Sequence, residues 1–295
     1  MYKRLKAIKS YIADWIHRKW PHAWLGYRYF RIFKKPLNEK EPKTYAERLI
    51  VAMQSQEFEK LVPYVDKWAV REYVHNKIGE EYDIPLLAVY ESPSQVQYEL
   101  IPEGAYVKLN HGSGYNIVYH DEQKEQIQNQ VESWYHADYS KIYGEVQYRS
   151  IPRKILVEAD ISCAQGITWE YSFFCFHGRT EFVQIYNKVH QRFEVSWDYK
   201  PLPFRLYSTV TPIEPKQEKF DQIRMLAEKL AAPFTFVRVD FLVTDERIYF
   251  SELTFSPGAG LRRFTPDEYN YIFGRKLTYE TDGVICRPEL LLGDE

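Results

Sequence analysis

The clearest alternation of apolar and polar positions lies in the C-terminal third of the chain. Thr235, Val237, Val239, Phe241 and Val243 form an unbroken row at period two, which predicts a strand over residues 235–243 with that row on a core. Arg238 and Asp240 share the opposite face, which therefore looks into a cleft. Residues 248–255 repeat the strand pattern, with Glu252 and Thr254 on one face and residues 244–247 as the turn. A two-residue turn between Thr244 and Arg247 would set Glu252 opposite Val239, on the apolar face. Asp240 and Glu252 share a face only if the hairpin carries an odd loop or a bulge.

Further strands are predicted over residues 82–90, 106–110 and 153–158, and over 170–176 and 181–186 as a hairpin around His177-Gly178. Helical spacing appears at Leu5, Ile8, Ile12, Trp15 and Ile16. Thr44 followed by Glu47 reads as a capping box opening a helix through Gln56. A helix from Asp66 to Gly79 would set Lys67 and Arg71 at i,i+4, a pairing whose default is a solvated edge. Residues 121–139 suit a polar surface helix. Residues 215–231 suit an amphipathic one, with Phe220, Ile223, Met225, Ala227 and Leu230 toward the buried side. Residues 187–203 show no clear order, but Lys188, Arg192 and Lys200 make them the most cationic loop region of the C-terminal half.

Composition narrows the function classes. A chain of 295 residues, 45% hydrophobic and 27% charged, is that of a globular protein with a substantial core. The net charge of -2 gives no support to a nucleic-acid partner. Residues 1–35 nevertheless carry ten Lys or Arg against Asp14 alone, which suits either a helix packed on its own domain or a basic surface against an anionic membrane. Three cysteines without metal-ligand spacing favour a reducing compartment. With no apolar run near ~20 residues and no signal-peptide core, the expected location is cytoplasmic, with the inner face of the membrane as a second place. Nothing in the sequence fixes the oligomeric state.

Charge on the cleft face gives the candidate chemistry. Asp240 and Glu252 supply hard carboxylate oxygens of the kind Mg2+ takes, with Arg238 beside them to meet phosphate. Ser256-Pro257-Gly258-Ala259-Gly260 follows, a small-residue loop where backbone N–H groups can approach an anion. Lys108 lies on a strand that runs into His111-Gly112-Ser113-Gly114, a means of closing backbone over phosphates or simply a hairpin turn. Neither a Walker loop nor a dinucleotide Gly-x-Gly-x-x-Gly occurs.

The phrases PLNEKEPKTYAERL, YVDKWAVREYVHNKIGEEY, YVKLNHGSGYNIV, FFCFHGRTEFVQI, FVRVDF and IYFSELTFSPGAG, spread over most of the chain from Pro36 onward, resemble the ATP-grasp superfamily. Within it they resemble the TupA-like branch associated with teichuronopeptide and other bacterial polysaccharide biosynthesis. The resemblance implies an α+β fold, with ATP gripped between two α+β subdomains behind a helical N-terminal region. The implied parts are residues 1–62, 63–159 and 160–295. By position, Arg71 and Lys108 take the places of the phosphate-binding cations, and Gly112, Ser113 and Gly114 that of the mobile lid. Ile155, Val157 and Glu158 resemble the hinge strand that meets adenine by backbone, with the acid near ribose or the amino group. Asp240 and Glu252 match the metal pair, and Arg238 the cation beside the γ-phosphate. The common Glu-x-Asn metal motif is here Glu252-Leu253-Thr254, which puts a poorer ligand at the third position.

The implied chemistry is ATP-dependent ligation of a small-molecule or saccharide carboxylate to an amine through an acylphosphate, with Mg2+ and the cations stabilising the transferring phosphoryl group. His111 is a candidate to accept the amine proton, or a structural histidine. No enzyme nucleophile is required, so Cys163 and Cys175 are expected to be small buried hydrophobes. Lys188, Arg192, Arg262 and Arg263 are candidates for the acceptor carboxylate, each with solvated surface as its default. A sugar phosphotransferase and a glycosyltransferase of the same pathway are the alternatives. The second lacks an Asp-x-Asp motif at Asp240-Phe241-Leu242.

Overall fold

The structure, a computed structural model, describes residues 21–161, 169–187, 192–206 and 218–291. The helical pattern of Leu5 to Ile16, Cys163 and Lys188 fall outside the described residues, as does the side chain of Arg192.

Two antiparallel sheets organise the chain. The first is built of β1 (Leu86–Tyr90), β2 (Tyr106–Leu109), β3 (Asn116–Val118) and β4 (Ile155–Glu158) in the order β1-β4-β2-β3. Its apolar side, with Val107, Leu109, Ile155 and Val157, packs on Ile127 and Val131 of a helix over Lys124–His136. The second sheet holds β5 (Trp169–Phe176), β6 (Arg179–Asn187), β7 (Arg192–Ser196), β8 (Phe236–Val243) and β9 (Ile248–Thr254), in the order β7-β6-β5-β8-β9. Strand β7 gives order to a stretch whose sequence pattern was unreadable. It is an edge strand with one neighbour, so alternation is weakly imposed on it.

Among the described residues the α-helices longer than a single turn are α1 (Pro21–Phe33), α2 (Tyr45–Ala52), α3 (Val70–Ile78), α4 (Lys124–His136), α5 (Phe220–Ala231) and α6 (Glu268–Lys276). Leu25, Tyr29 and Phe33 recur every four residues on α1, so one stripe of that helix enters the larger core with the second sheet. The capping box of α2 is present: Thr44 Oγ1 accepts from Glu47 N, and Glu47 Oε2 accepts from Thr44 N. Glu47 Oε1 also accepts from the Tyr29 hydroxyl at 3.0 Å, so one carboxylate caps α2 and fastens α1 to it. Helix α5 buries Phe220, Ile223, Ala227 and Leu230, but Met225 is 56% exposed. Two residues on from Ile223 is about 200° around the helix, which turns Met225 away from the core.

The helix expected from Asp66 to Gly79 is broken. One turn over Val62–Val65 ends at Asp66, whose ψ of 112° is extended, and α3 begins at Val70. The cause is a side chain competing with the helix. Asp66 Oδ1 accepts from Trp68 N and from Asn110 Nδ2, both at 2.8 Å, while Lys67 N donates to Asn110 O. Asn110 is fully buried and also bonds Pro152 O and Lys154 N, so this turn is locked to the ends of β2 and β4. Among the described residues no helix is long and apolar enough to cross a membrane.

Candidate active site

The β8–β9 hairpin sets the site. Near the turn the strands pair Val243 with Ile248, Leu242 with Tyr249 and Phe241 with Phe250. That is the register which, continued, would bury Glu252 against Val239. A bulge between Asp240 and Phe241 takes up Ser251 as an extra residue, and Asp240 then pairs with Glu252 and Arg238 with Thr254. The phase is restored by the bulge rather than by the loop. Both carboxylates and the arginine therefore share the cleft face.

The same register extends across the sheet, with Ser172 beside Asp240, Gln184 beside Ser172 and Glu194 beside Gln184. One row of polar side chains thus crosses the sheet from β8 to β7. Its signal in sequence is Ser172 interrupting an apolar strand, but one polar position does not show which strands lie beside it.

Arg238 and Asp240 are two apart on one strand and face the same way. Arg238 Nε lies 2.8 and 3.0 Å from the two carboxylate oxygens of Asp240, and Nη2 bonds Asp240 as well. Nη2 also reaches Glu252 Oε1 and Thr254 Oγ1, each at 3.1 Å. The Thr254 hydroxyl donates to Glu252 Oε1 at 2.8 Å, so it orients the glutamate. Asp240 is wholly buried, and burial together with the neighbouring Glu252 charge raises its carboxyl above the usual range despite Arg238. Burial pushes Glu252 in the same direction, but Lys67 and Arg238 outweigh it and hold that carboxyl low. Glu170, near Asp240, is pushed up to about 7 by burial and by the Asp240 charge.

Opposite Glu252 stands a cluster of cations from the first sheet and the broken helix. Lys67 Nζ is 3.8 Å from Glu252 Oε2 and donates to Gly112 O at 2.7 Å. Lys108 pairs with Glu158, and Arg71 lies 3.7 Å from Glu158, 2.9 Å from Asp83 and 3.0 Å from Ile84 O. A cleft of about 80 Å³ separates these side chains from Ser251 and Glu252. The side chains of Lys67 and Arg71 are only 19% and 16% exposed, so the pair is a cleft wall and not a solvated edge. Lys67 was missed as a site residue because it had been assigned to a continuous helix.

Two expectations need correction. Strand β4 is paired on both sides, to β1 and to β2, so the backbone groups of Ile155 and Val157 are consumed by the ladders and cannot meet an adenine. Their side chains lie in the core, and Glu158 sits with the cations Lys108 and Arg71. His111 is buried, with Nε2 3.2 Å from Trp134 O, and burial followed by the Arg153 charge lowers its pKa. It packs under the loop and does not line the cleft around Glu252 or the cavity beyond it. Cys175 is a buried thiol pushed up to about 12 by burial, as a packing residue should be.

Gly112, Ser113 and Gly114 form the tip of the β2–β3 hairpin. A Cβ on Gly112 would come within 2.9 Å of the Tyr115 and Tyr139 rings, and Gly114 has φ +76°. Both glycines are therefore dictated by local geometry. Ser113 and Gly114 are exposed, and Ser113 lines the cavity on the other side of Glu252.

Beyond Glu252, on the side away from Lys108, lies a second cavity of about 330 Å³. Arg28, Tyr143, Tyr148, Arg238, Glu252 and Arg262 are among its walls. Glu145 also lines it. Its carboxyl is buried, accepts from Ser256 Oγ at 2.5 Å, and is pushed up to about 7 by burial. Gln147 Nε2 donates to the same Ser256 oxygen at 2.7 Å.

Among the described residues no three or more His, Cys, Asp or Glu gather as a metal cage. Asp240, Glu252 and the Thr254 hydroxyl are hard oxygen donors on one face, a set that suits Mg2+ completing its shell with phosphate and water oxygens.

A family model described as TupA-like ATP-grasp matches residues 47–278 of the chain. No curated protein matches it. Among solved structures, it is similar to D-alanine–D-alanine ligase from Helicobacter pylori (14% identical, 73% of this chain and 59% of that chain, TM-score 0.46). It is also similar to D-alanine–D-alanine ligase from Bacillus anthracis complexed with ATP (15%, 64% and 52%, TM-score 0.40). A third is D-alanyl-alanine synthetase A from Vibrio cholerae O1 biovar eltor (19%, 77% and 65%, TM-score 0.40). The chain spans between about half and two thirds of the length of these proteins.

Proposed function

The chain belongs to the TupA-like ATP-grasp family, and from that premise we propose that it is an ATP- and Mg2+-dependent carboxylate–amine ligase of bacterial cell-surface polysaccharide biosynthesis. The observation that carries the proposal is the position of Glu252. It is shared between a narrow cleft walled by Lys67, Arg71 and Lys108 and a larger cavity walled by arginines and tyrosines. A triphosphate in the first and an acceptor in the second would meet at its carboxylate.

In this proposal Lys108 and Arg71 exchange their Glu158 partner for phosphate oxygens, and Lys67, held by Gly112 O, ties the glycine loop to the same charge. Arg238 lies beside the transferring phosphoryl group, fixed by Asp240. Mg2+, held by Asp240 and Glu252 with Thr254 orienting the latter, would neutralise charge on the phosphates. The acceptor carboxylate oxygen attacks the γ-phosphorus and ADP leaves. The amine then attacks the acyl carbon, phosphate leaves, and the amine gives up a proton, so no enzyme nucleophile takes part. The cytoplasm, where ATP is available, is the proposed location, with basic residues of the segment 1–35 other than Arg28 against the inner face of the membrane.

The test is product analysis with ATP, Mg2+, sugar acids and amines. A ligase forms ADP, free phosphate and an amide of matching mass. A phosphorylated sugar with no free phosphate would instead make it a kinase and overturn the ligase assignment.

A further inference from the structure

The larger cavity is completed from outside the family-matched segment. Helix α1 ends before residue 47, yet Arg28 and Ile32 line the cavity together with Arg238, Glu252 and Arg262.

Two features prepare this wall for an anion. The Arg28 guanidinium lies within cation–π range of the Tyr143 ring, 5.7 Å from its centroid, and of Trp24 on the same helix at 6.0 Å. A ring contact of this kind does not use up the N–H donors of the guanidinium. Among the described residues Arg28 has no ion-pair partner. Arg262 is aimed by the loop after β9. A Cβ on Gly258 would lie 2.8 Å from Arg262 Nε and 3.1 Å from its Cγ, so the arginine stem folds back across the bare glycine. Glu145, the other carboxyl of this cavity, accepts from the Ser256 hydroxyl and is pushed up to about 7, so it is only partly ionised near neutrality.

Resting on the ligase assignment above, we propose that helix α1 forms part of the acceptor site. In it Arg28, with Arg262, binds a carboxylate of a small organic acid presented to Glu252. The volume of about 330 Å³ lies at the lower end of small-molecule sites. A polymeric acceptor would therefore enter by one terminal unit. Tyrosine walls suit two sources of that carboxylate, a sugar acid or an amino acid, since each tyrosine offers an apolar ring with a polar tip.

The test uses the full chain with D-glucuronate, D-galacturonate, L-glutamate and D-alanine as probes. Each is titrated calorimetrically with and without Mg2+ and AMPPNP, against wild type, Arg28→Ala, Arg28→Lys and Arg262→Ala. At least one probe should bind wild type and lose about tenfold or more in affinity in Arg28→Ala, a loss of about 1.4 kcal/mol. Arg28→Lys should recover part of it, because the charge returns without the fork. AMPPNP affinity and melting temperature should stay at wild-type values in all three variants. A uronate among the bound probes assigns a sugar acid, and an amino acid alone assigns the other source. The proposal is overturned if no carboxylate probe binds, or if binding is indifferent to Arg28. Loss of AMPPNP binding in wild type would refute the nucleotide assignment, while the probe titrations without nucleotide would still decide the role of Arg28.

Discussion

Replacing Arg238 by methionine isolates the charge network of the site. Methionine keeps the apolar stem and removes the guanidinium that bonds both oxygens of Asp240, Glu252 Oε1 and Thr254 Oγ1. Asp240 is wholly buried, so its charge has no water to turn to. Breaking a buried ion pair from one side costs about 3–5 kcal/mol. With an unfolding entropy of about 2.1 cal/mol/K per residue, 295 residues give about 0.6 kcal/mol/K, so the melting temperature should fall by about 5–8 °C at pH 8. The carboxyl can escape the penalty by taking up a proton. Burial already holds Asp240 above the usual carboxylate range, and losing Arg238 raises it further. A group raised in the folded state contributes stability at low pH that is lost as pH climbs through its folded value. The deficit should therefore be small at pH 5 and grow toward pH 8. Circular dichroism melts of both proteins at pH 5, 6, 7 and 8 measure it. A variant within about 2 °C of wild type at pH 8, or a deficit that grows as pH falls, would refute the assigned network.

Two further outcomes follow from buried contacts away from the phosphate side. Glu145 is raised to about 7, so its contribution to stability is present below the ordinary carboxyl value and is lost between there and about pH 7. Glu145→Gln should therefore melt with a flatter pH dependence and gain on wild type at pH 8, on the order of 1–3 kcal/mol; a variant with the wild-type slope would remove Glu145 as its cause. Gly274→Ala should destabilise by about 1–3 kcal/mol. Its Cβ would meet the backbone of Lys43, Thr44 (C at 2.8 Å) and Tyr45 (N at 2.9 Å), where the chain enters α2. Helix propensity alone favours alanine over glycine by about 1 kcal/mol, so a stabilised variant would show that α6 and α2 are not in such close contact.

How far the sequence carried this account differs between elements. The β8–β9 hairpin was legible because one of its faces is buried. A strict apolar row fixed which side chains share a side, and the need to bring Asp240 and Glu252 together required a break in register that the bulge at Ser251 supplies. The capping box at Thr44 and Glu47 was legible because its bonds are local. The break at Asp66 was not, since its cause is Asn110, 44 residues away and buried under the turn. Its consequence is that Lys67 enters the cleft, where a helical-wheel argument had put it on the surface. The interior place of β4 was equally invisible. Four apolar or acidic residues look alike whether a strand has one neighbour or two, and pairing on both sides is what withdraws Ile155 and Val157 from the site. Arg28 belongs to a helix whose sequence gave no reason to associate it with residues more than two hundred positions away.

The central claim is that the cleft between Lys108 and Glu252 takes a metal–nucleotide complex. It is tested most directly by calorimetric titration of the full chain with AMPPNP, with and without Mg2+, in wild type, Lys108→Ala and Asp240→Asn. Lys108 reaches the cleft from β2 with Glu158 as its partner, and Glu158 retains Arg71 at 3.7 Å when Lys108 is removed, so the fold should survive the change. The account predicts one site in wild type that depends on Mg2+, at least about tenfold weaker binding in either variant, a loss of about 1.4 kcal/mol, and Lys108→Ala melting as wild type does without nucleotide. No binding to wild type, or equal affinity in wild type and Lys108→Ala, would contradict it.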